Sequence, residues 1–164
     1  SALRTSANVS ILGMRPEKFE ASVLIGTLST SSEEYSLDVG FSDVLNSGTL
    51  EPTNGALFRY NRAVDGDFWT CITRAAGTPT KTVTSVATVT NNGSTTPFVK
   101  LGIEIPAGGA SVRFLINGSV VATHVDNIPN QAGQSTGYGM RILKSVGLTS
   151  RETFFDWVKH SVGA

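Results

Sequence analysis

Gly133-Gln134-Ser135-Thr136-Gly137 fits the G-x-S-x-G pattern of a serine nucleophile, and Asp156 and His160 follow it in the chain order of a hydrolase triad. That chemistry needs the serine on a sharp turn between a buried strand and a helix. Here Asn127-Ile-Pro-Asn-Gln-Ala precedes the motif and a strand-like stretch follows, so the match reads as accidental in a chain with 17 glycines. The acidic pairs are Glu33-Glu34 and Asp65-x-Asp67. Sugar hydrolysis with retention needs two carboxyls about 5 to 5.5 Å apart on one surface, and no strand pattern carries such a pair. Asp65 and Asp67 are weak metal candidates for calcium, although Asp-Gly-Asp beside Asn61 equally suits a hairpin turn. His124 and His160 are the only histidines, too few for a histidine-built metal site, and His124 reads as a packed or rim residue. A lone Cys71 excludes an internal disulfide and a cysteine zinc site. No catalytic residue and no cofactor is assigned.

What remains is contact chemistry. Arg59, Tyr60, Arg62, Trp69, Arg74 and Tyr138 form the expected ligand-binding set, a surface of rings and guanidinium groups that stacks on sugars or anchors a protein. Taken singly, Trp69 and its neighbour Phe68 suit a core as well. Asn8, Asn92 and Asn117 head glycosylation sequons, which read as loop and turn positions.

The elements that would carry these residues alternate with period two. Phe19, Ala21, Val23 and Ile25 share one face, as do Tyr35, Leu37, Val39 and Phe41. Ala56, Phe58 and Tyr60 oppose Leu57, Arg59 and Asn61, and a tight turn at Val64-Asp65-Gly66-Asp67 leads into Phe68–Thr73. Thr and Val interleave from Lys81 to Thr90, an expected edge strand, and Val99, Leu101, Ile103 and Ile105 give the cleanest alternation. Asn117-Gly118 between two apolar runs predicts a type I′ hairpin. Met140 and Ile142 lie opposite Arg141 and Leu143. The closing segment fits either a helix with a capping box at Thr149–Glu152 or a strand with Phe155 and Trp157 on one face; aromatic and β-branched residues favour the strand.

The 164 residues carry 13 basic and 13 acidic side chains, 18 Ser and 19 Thr, which removes the field that draws in nucleic acid. No apolar run approaches the roughly 20 residues of a membrane helix, and no signal-type apolar segment precedes the first strand. Short strands joined by Gly, Asn and Pro turns predict an all-β, two-sheet antiparallel β-sandwich spanning residues 18–164, with residues 1–17 as an arm or first edge strand.

The segment from Gly55 to Arg74, with Phe58-Arg-Tyr60, resembles a pattern of concanavalin A-like lectin/glucanase (jelly-roll) domains in bacteriophage virion proteins. So do Phe114-Leu-Ile-Asn-Gly118, Val121-Ala-Thr-His124, Asn127-Ile-Pro129 and Arg151–Val158, a likeness running from Lys18 to Val158. The glucanases' Glu-x-Asp-x-Glu strand and the legume lectins' metal loop have no counterpart here. The resemblance implies a non-enzymatic virion protein, in capsid decoration or a tail fibre, assembled in the host cytoplasm and acting through protein contacts. Its implied partners are other virion proteins and further copies of itself, with a host-surface glycan as the alternative and neither nucleic acid nor membrane insertion. A glycan-binding receptor module is the first rival and a polysaccharide-degrading enzyme the second.

Overall fold

The computed structural model describes residues 2–4, 10–44, 51–88 and 98–163, the first three of these by backbone alone. Among the described residues eleven strands and one helical turn follow in order: β1 Ala2–Arg4, β2 Glu17–Ile25, β3 Tyr35–Ser42, β4 Gly55–Asn61, α1 Arg62–Asp65, β5 Phe68–Ala75, β6 Thr78–Ala87, β7 Val99–Ile105, β8 Val112–Ile116, β9 Ser119–His124, β10 Gly137–Lys144 and β11 Thr153–Val162. They form a six-stranded sheet in the order β1-β10-β3-β4-β5-β6 and a five-stranded sheet in the order β11-β2-β7-β8-β9, antiparallel throughout. The expected two-sheet sandwich is what forms.

The core is the set of inward alternates. Phe19, Ala21, Val23 and Ile25 of one sheet face Tyr35, Leu37, Val39 and Phe41 of the other, all buried. Phe58 meets Phe114 edge-on across the two sheets, centroids 5.3 Å apart at 87°. The Asn117-Gly118 turn takes positive φ at both positions, 51° and 84°, as a type I′ hairpin requires. Ala76-Gly77 repeats that geometry between β5 and β6, with φ of 48° and 83°.

Two expectations need correction. Between β4 and β5 the chain makes the helical turn α1 rather than a tight turn. Strand β11 forms, but a bulge between Phe155 and Trp157 lifts Asp156 out of the ladder. The phase therefore changes: Phe155 and Val158 pack against the core, while Phe154 and Trp157 face outward.

His124 locks the sheets together. Its Nδ1 and Nε2 lie 3.0 Å from Thr73 Oγ1 on β5 and Thr82 Oγ1 on β6. The Thr73 hydroxyl donates to the Asp126 carbonyl at 2.9 Å, so it accepts from the ring, and the Nδ1–H tautomer is fixed. Burial holds the His124 pKa below the usual histidine value. The folded state thus resists a proton that the unfolded chain accepts, so this stability is complete above the unfolded value of about 6.5 and is lost as pH falls below it. Urea titrations at pH 7.5 and 5.5 are expected to show the drop, and His124→Gln to flatten it; an equal drop in the variant would assign the effect elsewhere.

Candidate functional site

A cleft of about 580 Å³ opens at one end of the sandwich, where the inward stripe of the sheets turns polar. Glu17 begins β2 in the same phase as Phe19 and Ala21, so its carboxylate is carried into the interior. His160, paired with Phe19, enters from β11, and Tyr138 enters from β10. Ser10 Oγ donates to Glu17 Oε1 at 2.7 Å, and His160 Nε2 lies 3.2 Å from Oε2. The imidazole packs on the Tyr138 ring at 4.4 Å and meets Phe41 edge-on at 5.5 Å. A carboxylate held between two protein donors, with an imidazole wedged between two rings, is a rigid polar anchor.

The outer wall is the segment before β2. Ser10 exchanges backbone hydrogen bonds with Thr136, at 3.2 and 2.8 Å. Farther along, Gly108 N–H donates to the Gly13 carbonyl at 2.7 Å. A Cβ on Gly13 would lie 2.3 Å from Gly109 Cα, and Gly13 has a φ of +85°, so only glycine fits. This strap presents Ile11, Met14 and Arg15 to the cleft, Met14 being 76% exposed. The lining joins an aromatic ring and aliphatic side chains to a guanidinium, an imidazole and a hydroxyl, the mixture that fits a sugar's apolar ring face and its hydroxyl rim.

Of the six residues expected to bind ligand, Tyr138 alone lines this cleft. The other five do not form the expected surface. Tyr60 (0% exposed) and Trp69 (1%) are core residues on paired central strands. Arg59 is buried in a bidentate pair with Asp38, at 2.6 and 2.9 Å, and reaches Glu51 at 2.8 Å. Arg74 bonds Glu51 and the Pro52 carbonyl, and Arg62 is exposed beside Asp67. Both faces of β4 and β5 are covered, which alternation along a single strand does not reveal.

The weak metal candidates also have protein partners: Asp65 accepts from Thr70 at 2.9 Å, and Asp67 accepts from Tyr60 at 3.1 Å. Among the described residues no cluster of three or more His, Cys, Asp or Glu is placed to hold a metal ion. Ser135 precedes a strand, not a helix, and Asp156 is exposed at the bulge, so the nucleophile elbow does not form. Asn117 accepts the Lys100 N–H at 2.9 Å as a turn residue; Asn8 and Asn92 lie outside the described residues. Sequence reading missed Glu17, Ser10 and Arg15. The available signal was an acid at the position where the Phe19–Ile25 alternation demands an inward side chain.

The family model described as SO2946-like, C-terminal domain, matches residues 1–156. No curated protein matches the chain. Among solved structures, the carbohydrate binding module CBM66 from Bacillus subtilis is 12% identical with a TM-score of 0.50, over 89% of this chain and 74% of that one. An alginate lyase from Pseudomonas aeruginosa is 15% identical with a TM-score of 0.56, over 92% of this chain and 66% of its own length. The binding domain of botulinum neurotoxin serotype D/C is 10% identical with a TM-score of 0.52, over 91% of this chain and 32% of that one. These likenesses establish the concanavalin A-like jelly-roll fold.

Proposed function

The chain belongs to the SO2946-like C-terminal domain family, and we propose that it is a non-enzymatic adhesion module that grips a glycan in the Tyr138–His160 cleft. The observation that carries this reading is the pinned Glu17–His160 pair packed on a Tyr138 ring that opens to solvent beside Arg15. A pyranose ring packs its C–H face on Tyr138, Met14 and Ile11, while its hydroxyls reach Arg15 and His160. The rigid anchor keeps the ordering cost of binding low. The carbohydrate binding module and the lyase among the structural neighbours support a glycan as the ligand.

The finer reading, supported by the sequence resemblance, sets the module on the exterior of a bacteriophage particle as a homo-oligomer beside other virion proteins. Co-purification of the parent protein with infectious particles tests that placement.

A glycan array is expected to give robust hits, and Tyr138→Ala and His160→Ala each to weaken them about tenfold, equivalent to ~1.4 kcal/mol. No hit, or hits indifferent to both substitutions, would overturn the proposal. A second reading comes from the same residue types: a Tyr or His base beside an Arg that neutralises a carboxylate is the set required to abstract the proton α to a uronate carboxyl. Unsaturated ends appearing when the protein is incubated with alginate, and vanishing with Tyr138→Phe, would favour a lyase over adhesion.

A further inference from the structure

The outer face of the five-stranded sheet carries a charge excess that the chain as a whole lacks. Register puts Lys18, Glu104 and Arg113 in one cross-strand row, Lys159, Glu20 and Gly102 in the next, and Trp157, Ser22 and Lys100 in a third. Four cations therefore stand with two carboxylates in these rows and a third, Asp156, exposed at the bulge beside Trp157, although the complete sequence has 13 of each sign. Each carboxylate is shared: Glu20 meets Lys100 at 2.9 Å and Lys18 at 3.4 Å, and Glu104 meets Lys18 and Arg113 at 3.3 Å each. Lys159 has no ion-pair partner among the described residues. The cations of these pairs are about half exposed and the carboxylates less so, and pairs with such exposed cations contribute modestly to stability.

The face is shaped as well as charged. Gly102 contributes no side chain, leaving a hollow of about 220 Å³ above it, and a second hollow of about 410 Å³ adjoins at Lys18 and Glu104, floored by Ile105 and Pro106. Trp157 is 38% exposed at the neighbouring row, with Lys100 Nζ 5.5 Å from its ring centroid.

We infer that this face, which adjoins the cleft at Glu17, is a second binding site for an acidic polysaccharide whose carboxylates meet the cations while Glu20 and Glu104 accept its hydroxyls. The two fixed carboxylates distinguish it from a nucleic-acid surface: a sugar polymer supplies hydroxyl donors for them, whereas a phosphate backbone meets only their repulsion. Trp157 offers a ring face to the polymer at one end. Attraction to an exposed face is screened by salt.

Affinity electrophoresis through gels containing alginate, dextran or neither tests the inference on the full chain. Retardation by alginate, but not by dextran, that fades with added salt is expected. The double variant Lys100→Ala/Arg113→Ala should weaken it about fivefold, and Lys159→Glu, which breaks no ion pair among the described residues, should weaken it as well with an unchanged circular dichroism spectrum. Tyr138→Ala should leave it intact, separating this site from the cleft. Equal retardation by dextran, equal binding of poly(dT), indifference to the charge variants, or loss with Tyr138→Ala would each overturn the inference.

Discussion

Asp38→Ala is expected to destabilise the sandwich by about 3 to 5 kcal/mol, the cost of stripping the partner from a buried ion pair. Register aligns Arg141, Asp38 and Arg59 across three strands on the outer face of the six-stranded sheet. Their side chains are 0%, 4% and 8% exposed. Arg59 grips both carboxylate oxygens, and Arg141 reaches Oδ2 at 2.7 Å. Removing the carboxylate takes the 2.7 Å ion pair from Arg141 and leaves Arg59 its contact with Glu51 in place of a bidentate pair. Chemical denaturation measures the loss, and a change below about 1 kcal/mol would show that water or another group solvates the pair. The same physics predicts a partial rescue: Asp38→Leu with Arg59→Met and Arg141→Met discards the charges together and should recover much of the stability.

Phe114→Ala should cost a similar amount, about 3 to 5 kcal/mol, by opening a cavity between the sheets. Phe114 is fully buried, edge-on to Phe58 and 5.1 Å from the His124 ring. Its removal deprives both the aromatic bridge and the imidazole lock of their neighbour, so little can collapse into the space. A melting temperature lowered by about 10 °C or more is expected for a domain of this size. A fall of only a degree or two would mean that β8 shifts to refill the gap. A charge is worse than a void: Phe114→Lys or Ile103→Asp should prevent folding, visible as a lost near-ultraviolet circular dichroism spectrum.

How much of this was legible in the chain depended on whether a local pattern specified it. Val99–Ile105 alternates because one face meets the other sheet, and Asn117-Gly118 takes the two positive φ values its residue types favour; both read correctly. The Phe58–Arg74 segment misled because period two shows that side chains alternate, not which face is wet. On central strands neither face is, so Tyr60 and Trp69 became core and Arg59 an ion pair. Strand β11 was readable as a strand, but the bulge at Asp156 changed its phase and parted Phe155, which packs on the core, from Trp157, expected on the same face. The cleft was the least legible feature. Glu17 and His160 are 143 positions apart, and only the docking of β11 on β2 makes them partners.

The contact of Gly13 with Gly109 limits how the cleft can diversify. Neither position tolerates a methyl group: Gly13 would strike Gly109 backbone at 2.3 Å, and Gly109, with a φ of +60°, would press on Asn130 at 3.0 Å. The strap cannot lift to admit a longer 106–109 turn without losing the seat that aligns Ser10 with Glu17. Relatives that adopt new ligands should therefore keep this backbone and vary Ile11, Met14 and Arg15, giving a repertoire written in side chains on an invariant frame rather than in grafted loops.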